Sequence, residues 1–109
     1  MILARTLNIG NAVFKDNNIH KVVKEDFLNV NERGFVEHLK PIPLTLELLP
    51  KIDTSLINDY KGAFIFNQEP ESETYSFFYQ VNGKARRIYF LHELQNIIFD
   101  LSEKELNFL

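Results

Sequence analysis

Tyr75-Ser76-Phe77-Phe78-Tyr79-Gln80-Val81-Asn82-Gly83-Lys84-Ala85-Arg86-Arg87-Ile88-Tyr89-Phe90-Leu91-His92-Glu93-Leu94-Gln95-Asn96-Ile97-Ile98-Phe99 is the stretch whose reading decides the fold. Two aromatic-rich strand candidates flank Asn82-Gly83. Asn-Gly is the strongest short hairpin signal, because a type I′ turn demands positive φ at both central residues. A two-residue loop then fixes the register. Val81 faces Lys84, Tyr79 faces Arg86, Phe77 faces Ile88 and Tyr75 faces Phe90. Phe77, Val81, Ile88 and Phe90 share the face assigned to the core, and Phe78, Ala85, Arg87 and Tyr89 share the outer one. Tyr79 opposite Arg86 permits a cation–π contact worth about 0.5–1 kcal/mol at an exposed site.

A helix follows without a linker. Leu91, Leu94, Ile98 and Leu101 recur at helical spacing and predict one buried stripe. His92, Gln95, Asn96 and Phe99 fall on an adjacent stripe. Ser102-Glu103-Lys104-Glu105 matches a capping box, which predicts a new helical turn carrying Leu106 and Phe108.

Upstream the pattern is of short strands and turns. Ala12 to Lys15 reads as a strand, Asp16-Asn17-Asn18 as a turn, and Ile19 to Lys24 as a second strand. Phe27-Leu28-Asn29-Val30 reads as a third, Asn31 to Gly34 as a turn, and Phe35 to Leu39 as a fourth. Lys40-Pro41-Ile42-Pro43-Leu44 must be extended, because each Pro fixes its own φ and biases the residue before it away from helix. Thr45 is placed to cap a short helix over 46–49, and Asp53-Thr54-Ser55 to start another ending near Gly62. Ala63 to Asn67 is an apolar strand.

The expected fold is therefore α+β. A small curved antiparallel sheet, half of an SH3-like barrel, precedes an antiparallel hairpin sheet packed on a C-terminal helix. At 109 residues the chain reads as a single domain, 1–109, with a β-rich lobe over about 7–44 and a hairpin and helix lobe over about 45–109.

Composition bounds the function. Apolar residues make up 45% and charged residues 25%, enough for one core and little space for a large pocket. The absence of cysteine excludes disulfides, thiolate catalysis, zinc ribbons and iron–sulfur clusters, and fits a reducing cytoplasm. Met1 to Arg5 does not read as a signal peptide, and no apolar run approaches the ~20 residues of a membrane span. A net charge of −3 argues mildly against non-specific nucleic-acid binding, which draws on a basic surface, and suits a binder of a basic protein groove.

Candidate chemistry is sparse. His92, Gln95 and Asn96 meet on one helix face, where they either solvate it or contact a partner. His20, His38 and His92 sit in separate elements without an H-x-x-x-H spacing, so no metal or other cofactor is expected. No nucleophile elbow, P-loop or dinucleotide fingerprint is present, so an enzyme acting on a small-molecule substrate is not expected. Lys84, Arg86 and Arg87 lie beside Tyr79 and Tyr89; basic residues interleaved with aromatics can hold phosphates and stack bases, or simply protect an edge. Glu69, Glu71 and Glu73 form an acidic loop that could mimic phosphates or merely be solvated.

Three segments carry a resemblance. They are Leu7-Asn8-Ile9-Gly10-Asn11-Ala12-Val13, Lys40-Pro41-Ile42-Pro43-Leu44-Thr45, and Tyr89 to Asn96 running on to Leu101-Ser102-Glu103-Lys104-Glu105-Leu106. In order and spacing they resemble small proteins of prophages and mobile elements of gut and environmental bacteria. The chain departs from these at Leu46 to Leu49, where such proteins are more polar and carry a Trp. The resemblance supplies no catalytic residue. It implies a small inhibitor of host defence, of which anti-CRISPR proteins are the best-known kind, acting in the cytoplasm of an infected or lysogenic bacterium. The expected partner is a host protein, a CRISPR effector nuclease with or without its guide RNA, and an RNA-targeting effector is one such target. The expected contact residues are Phe78, Arg87, Tyr89, Glu69, Glu71, Glu73, His92, Gln95 and Asn96. The alternative is a non-enzymatic RNA- or DNA-binding regulator using Lys84, Arg86, Arg87 and Tyr79.

Overall fold

Short strands separated by turn residues pair antiparallel throughout the computed structural model, which describes residues 1–45, 47–52, 55–60, 63–68, 75–81 and 83–106. In chain order the elements are β1 (Ile2–Leu3), β2 (Ala12–Lys15), β3 (Asn18–Lys21), β4 (Phe35–Val36), α1 (Ser55–Asp59), β5 (Phe64–Gln68), β6 (Tyr75–Val81), β7 (Lys84–Ile88) and α2 (Leu91–Ser102). Short 3₁₀ turns cover Ala4–Thr6, Lys24–Asn29 and Leu49–Lys51. The class is α+β, as the sequence pattern implied, and no barrel closes among the described residues.

The chain divides into two compact units. The first comprises Met1–Pro43 with Phe90–Asn96. It holds two separate two-stranded sheets, β1 with β4 and β2 with β3, in place of one curved sheet. The β2–β3 hairpin turns at Asp16 and Asn17, both at positive φ (52° and 62°), the signature of a type I′ turn. Asn and Asp tolerate that region because their short polar side chains bond locally. Ile2, Leu7, Val13, Val22, Val36 and Leu39 form its buried cluster, with Phe27 and Ala4 packed against it.

Of the segment Phe27 to Val30, expected as a strand, Phe27 to Asn29 are instead the end of the 3₁₀ turn Lys24–Asn29, and Val30 alone is extended and makes an isolated bridge to Val36. The cause is Asp26. Its N–H donates to Val23 O (3.1 Å) while its Oδ2 accepts from Val23 N–H (2.8 Å), closing a tight turn that a strand would break.

The second unit comprises Leu44–Tyr89 with Ile97–Leu109. Its three-stranded sheet has the order β5-β6-β7. The hairpin register agrees with the sequence reading at Val81↔Lys84, Tyr79↔Arg86 and Phe77↔Ile88. The pairing stops there. Phe90 bridges Pro43 within the first unit, and Tyr75 pairs with Gln68 of β5. Phe77 and Ile88 are buried, as are Phe64, Leu48, Ile52, Ile57, Ile98 and Leu106. Of the helix expected over 46–49, Leu46 lies outside the described residues, and Glu47 and Leu48 form a turn leading into the 3₁₀ turn Leu49–Lys51. Pro50 is tolerated in that first turn because an N–H there would lack a helical partner anyway.

Helix α2 stops at Ser102 rather than restarting there. Glu103 lies at φ 58° and donates its N–H to Phe99 O (2.7 Å). Ser102 Oγ donates to Ile98 O (2.7 Å) and accepts from Lys104 N–H (3.1 Å). Serine thus closes the helix end, and the predicted new turn does not form over Glu103 to Leu106. Phe108 lies outside the described residues.

Gly83 sits in the hairpin turn at φ +79°, and a Cβ added there meets nothing within 4 Å. Gly83→Ala therefore isolates the backbone cost of left-handed φ, roughly 1–2 kcal/mol. Urea unfolding should show that loss as a lower midpoint at an unchanged m-value.

Candidate functional site

The outer face of the hairpin is the first candidate. Phe78 pairs directly with Arg87, since inward and outward residues alternate along β6 and β7. Ala85, Arg87 and Tyr89 are exposed and Phe78 is half-buried. The Arg87 guanidinium lies over the Tyr89 ring, 4.8 Å from its centroid. Tyr89 is 55% exposed, and its backbone carbonyl accepts from Leu44 N–H (3.0 Å), which fixes the strand end that carries the ring. Tyr79, placed opposite Arg86, is half-buried with its ring 5.6 Å from that of Phe64. Lys84 and Arg86 are exposed on the edge strand β7. Glu69, Glu71 and Glu73 lie outside the described residues.

The polar stripe of α2 is turned inward. His92 is only 3% exposed and Gln95 8%. Gln95 Oε1 accepts from Ala12 N–H (2.8 Å). Asn96 Oδ1 accepts from the side-chain amides of Asn8 (2.9 Å) and Asn11 (2.8 Å), and Asn96 Nδ2 donates to Thr6 O (2.8 Å). Gln95 and Asn96 thereby fasten the helix start to residues 6–12 of the first unit. The expectation that His92, Gln95 and Asn96 form a contact surface is corrected on this point: the first two are buried, and the amides are committed to the chain itself. His92 differs from its neighbours. Its Nε2 lies 3.4 Å from Thr6 Oγ1, and its Nδ1 is buried without a hydrogen-bond partner. Burial pushes its pKa down to about 4, because a charged ring would lose its water.

A third arrangement was not anticipated from the sequence. Asp26, 4% exposed, stands between two histidines. Its Oδ2 accepts from His20 Nε2 (2.8 Å) and its Oδ1 from His38 Nε2 (2.9 Å). Burial alone would raise the Asp26 carboxyl. The hydrogen bonds from His38, Val23 N–H and His20, with the charge of His20, outweigh it and hold the group well below the usual carboxylate range. An ionised carboxylate only accepts, so both rings carry a proton on Nε2 and direct Nδ1 away from Asp26. His38 also lines an open cleft of about 470 Å³ with Lys15, Glu25, Asn29 and Glu37. A carboxylate-oriented imidazole can move a proton, but the described lining of this cleft contains no hydroxyl or thiol to serve as a nucleophile. The cluster's evident work is to tie β3, the 3₁₀ turn Lys24–Asn29 and the segment after β4 together.

Among the described residues no group of three His, Asp, Glu or Cys side chains is placed to hold a metal ion, and no helix is long and apolar enough to cross a membrane. Comparison with protein-family models, with curated proteins and with solved structures found no match.

The two buried titrating groups give stability a two-stage acid limb. His92 has its folded pKa lowered, so the unfolded chain takes up the proton first; stability is full above about pH 6.5 and falls as pH drops toward 4. The slope of that stage is about 1.4 kcal/mol per pH unit at most, one proton's worth. Asp26, also lowered in the folded state, contributes stability that is present above its unfolded value of 3.8 and is lost below it. Unfolding measured from pH 7 to 3 should show the upper stage vanish in His92→Phe. Asp26→Ala should cost about 2–4 kcal/mol at pH 7, since it strands three donors. A flat profile between pH 6.5 and 4 in the parent chain would contradict the buried neutral ring.

Proposed function

We propose that the chain is a non-catalytic protein-binding module that inhibits a host RNA-guided nuclease by occupying its surface, in the manner of an anti-CRISPR protein. The observation that carries the reading is the Arg87–Tyr89 pair. Arg and Tyr are the residue types that most often anchor protein interfaces. Stacking the guanidinium on the ring fixes both side chains before a partner arrives, which reduces the ordering cost of association. Phe78, half-buried opposite Arg87, supplies apolar area beside them. The choice of target rests on the likeness of three segments to small proteins of prophages and mobile elements, and the net charge of −3 suits a basic nuclease groove.

Pull-down against RNA-guided nucleases, with and without guide RNA, combined with a cleavage assay, tests this reading. Capture should be accompanied by loss of cleavage. Arg87→Glu and Tyr89→Ala should each weaken binding about tenfold or more, a loss of about 1.4 kcal/mol or greater, while leaving unfolding midpoints near the parent value. Absence of capture together with unchanged cleavage across such effectors would reject it.

The exposed cations of β7 favour a second reading, an RNA- or DNA-binding regulator. Lys84, Arg86 and Arg87 lie within four residues of one edge strand, with Tyr89 just beyond. Tyr79, the ring first expected to stack bases, is half-buried near Phe64, so Tyr89 takes that role in this reading. Three phosphate contacts predict a slope of about −2 in log affinity against log salt for a single strand. No binding to single-stranded RNA or DNA in dilute salt would remove this reading.

A further inference from the structure

β7 lies at one edge of the three-stranded sheet, and among the described residues β6 is the only strand it pairs with. Val81 and Lys84 pair across a two-residue loop, which makes them a mutually hydrogen-bonded pair and sets the alternation along the strand. Lys84, Arg86 and Ile88 turn their backbone N–H and C=O groups toward β6. Ala85 and Arg87 turn theirs the other way, to the open edge. Tyr89 O is the next outward group in that alternation, and Leu44 N–H already takes it (3.0 Å). The open stretch is therefore β7 itself, with two N–H and two C=O groups at Ala85 and Arg87 that no described residue bonds. Lys84, Ala85, Arg86 and Arg87 are all exposed. A row of unpaired backbone donors and acceptors is a template for another strand.

Charge decides which strand can add. β7 carries three cations, Lys84, Arg86 and Arg87, and no carboxylate, and among the described residues none of the three is in an ion pair. A second copy is a poor occupant. Antiparallel pairing of β7 with itself sets these three cations against the same three, and like charges directly opposite destabilise a ladder. We propose that β7 is a strand-addition site for an extended acidic segment of a partner protein, which lies antiparallel to Lys84–Ile88, bonds its backbone to Ala85 and Arg87, and sets carboxylates beside Lys84, Arg86 and Arg87. In such additions main-chain bonds supply affinity and side chains supply selection. The antiparallel sense follows the rest of the sheet and is the slightly more stable one. Acidic residues belong opposite Arg87, Arg86 and Lys84. Apolar β-branched residues belong opposite Ala85, which is small, and Ile88, which is buried and gains an apolar neighbour on its own face. The site is the edge of the sheet rather than its outer face, so it does not rest on the nuclease reading.

The peptide acetyl-Val-Glu-Glu-Val-Glu-Thr-amide, whose first five residues run opposite Ile88 to Lys84, tests the assignment on the full chain by ¹H–¹⁵N NMR and amide hydrogen exchange. A dissociation constant on the order of 0.1 mM is expected for so short a strand. The amides of Ala85 and Arg87 should shift and exchange more slowly in the complex, while those of Lys84, Arg86 and Ile88, already bonded to β6, should change little. N-methylation of the two peptide residues opposite Arg87 and Ala85 should abolish binding, whereas N-methylation of the Glu opposite Arg86, whose N–H points away from β7, should be tolerated. Replacing each Glu by Gln should weaken binding about tenfold. Ala85→Pro removes an outward N–H without touching the ladder to β6 and should abolish binding. Arg86→Glu serves as a second variant should the proline unfold the sheet; it should weaken the acidic peptide and improve binding of its Lys counterpart. No shift at Ala85 and Arg87 through the millimolar range, equal binding of the two N-methylated peptides, or equal binding of the Gln peptide would each overturn the proposal. So would binding of single-stranded RNA with no binding of the peptide, which would assign the same cations to phosphate.

Discussion

The first unit depends on four hydrogen bonds made by two adjacent side chains. Gln95 and Asn96 bond Ala12, Asn8, Asn11 and Thr6, partners that lie 83 to 90 residues away along the chain. Closing so long a loop costs chain entropy, though the cost grows only logarithmically with length. Apolar burial offsets it, since Leu91 and Leu94 of the helix and Leu7, Ala12 and Val13 of the N-terminal segment are all buried. Apolar contact alone would not choose a register. The amides do, because a helix shifted by one residue would leave buried donors such as Ala12 N–H unpaired. The N-terminal segment is itself prepared for this. Asn11 Oδ1 accepts from Asn8 N–H (2.7 Å), which aims both side-chain amides at one Asn96 oxygen.

Asp26 plays a comparable part at shorter range. A carboxylate with no more than slight exposure is stable only if its charge is met by donors, and it takes three: two imidazoles and one backbone N–H. This arrangement makes a 3₁₀ turn out of a segment whose apolar content suggests a strand. It also links the turn to β3 through His20 and to the segment after β4 through His38. The two polar clusters act on different parts of the first unit, and each converts local sequence with weak preference into one defined conformation.

Local rules were sufficient where the signal was local. Asn82-Gly83 with flanking aromatics determined the β6–β7 register, and Leu91, Leu94 and Ile98 placed the buried helix stripe. Several of the readings that failed involve a polar side chain with a distant or competing partner. Phe27 to Val30 looked like a strand because a single carboxylate, invisible to periodicity, closes a turn there. Ser102 looked like a helix start because a capping box and a helix-ending serine share the same residue type; the positive φ of Glu103 decides between them. His92, Gln95 and Asn96 looked like a surface because polar residues on a helix usually are one. Nothing in the spacing says that Thr6, Asn8, Asn11 and Ala12 wait to receive them. The convergence of His20 and His38 on Asp26 was hidden for the same reason: it is made by tertiary contact.

That inward turn also changes which residues remain for recognition. A side chain spent on fastening the fold is not offered to a partner, so the start of α2 drops out as an adaptable polar surface. What stays outside in the second unit is the hairpin's outer face, where the Arg87 guanidinium stacks on the exposed ring of Tyr89. The helix stripe itself is not uniform. Asn96 uses both ends of its amide, and Gln95 satisfies a backbone donor, but His92 meets one partner at long range and leaves its other nitrogen unmet. Three neighbouring residues of similar polarity therefore divide by a count of their bonds: two complete the architecture, and the third is held by burial of its ring, with one nitrogen left unmet.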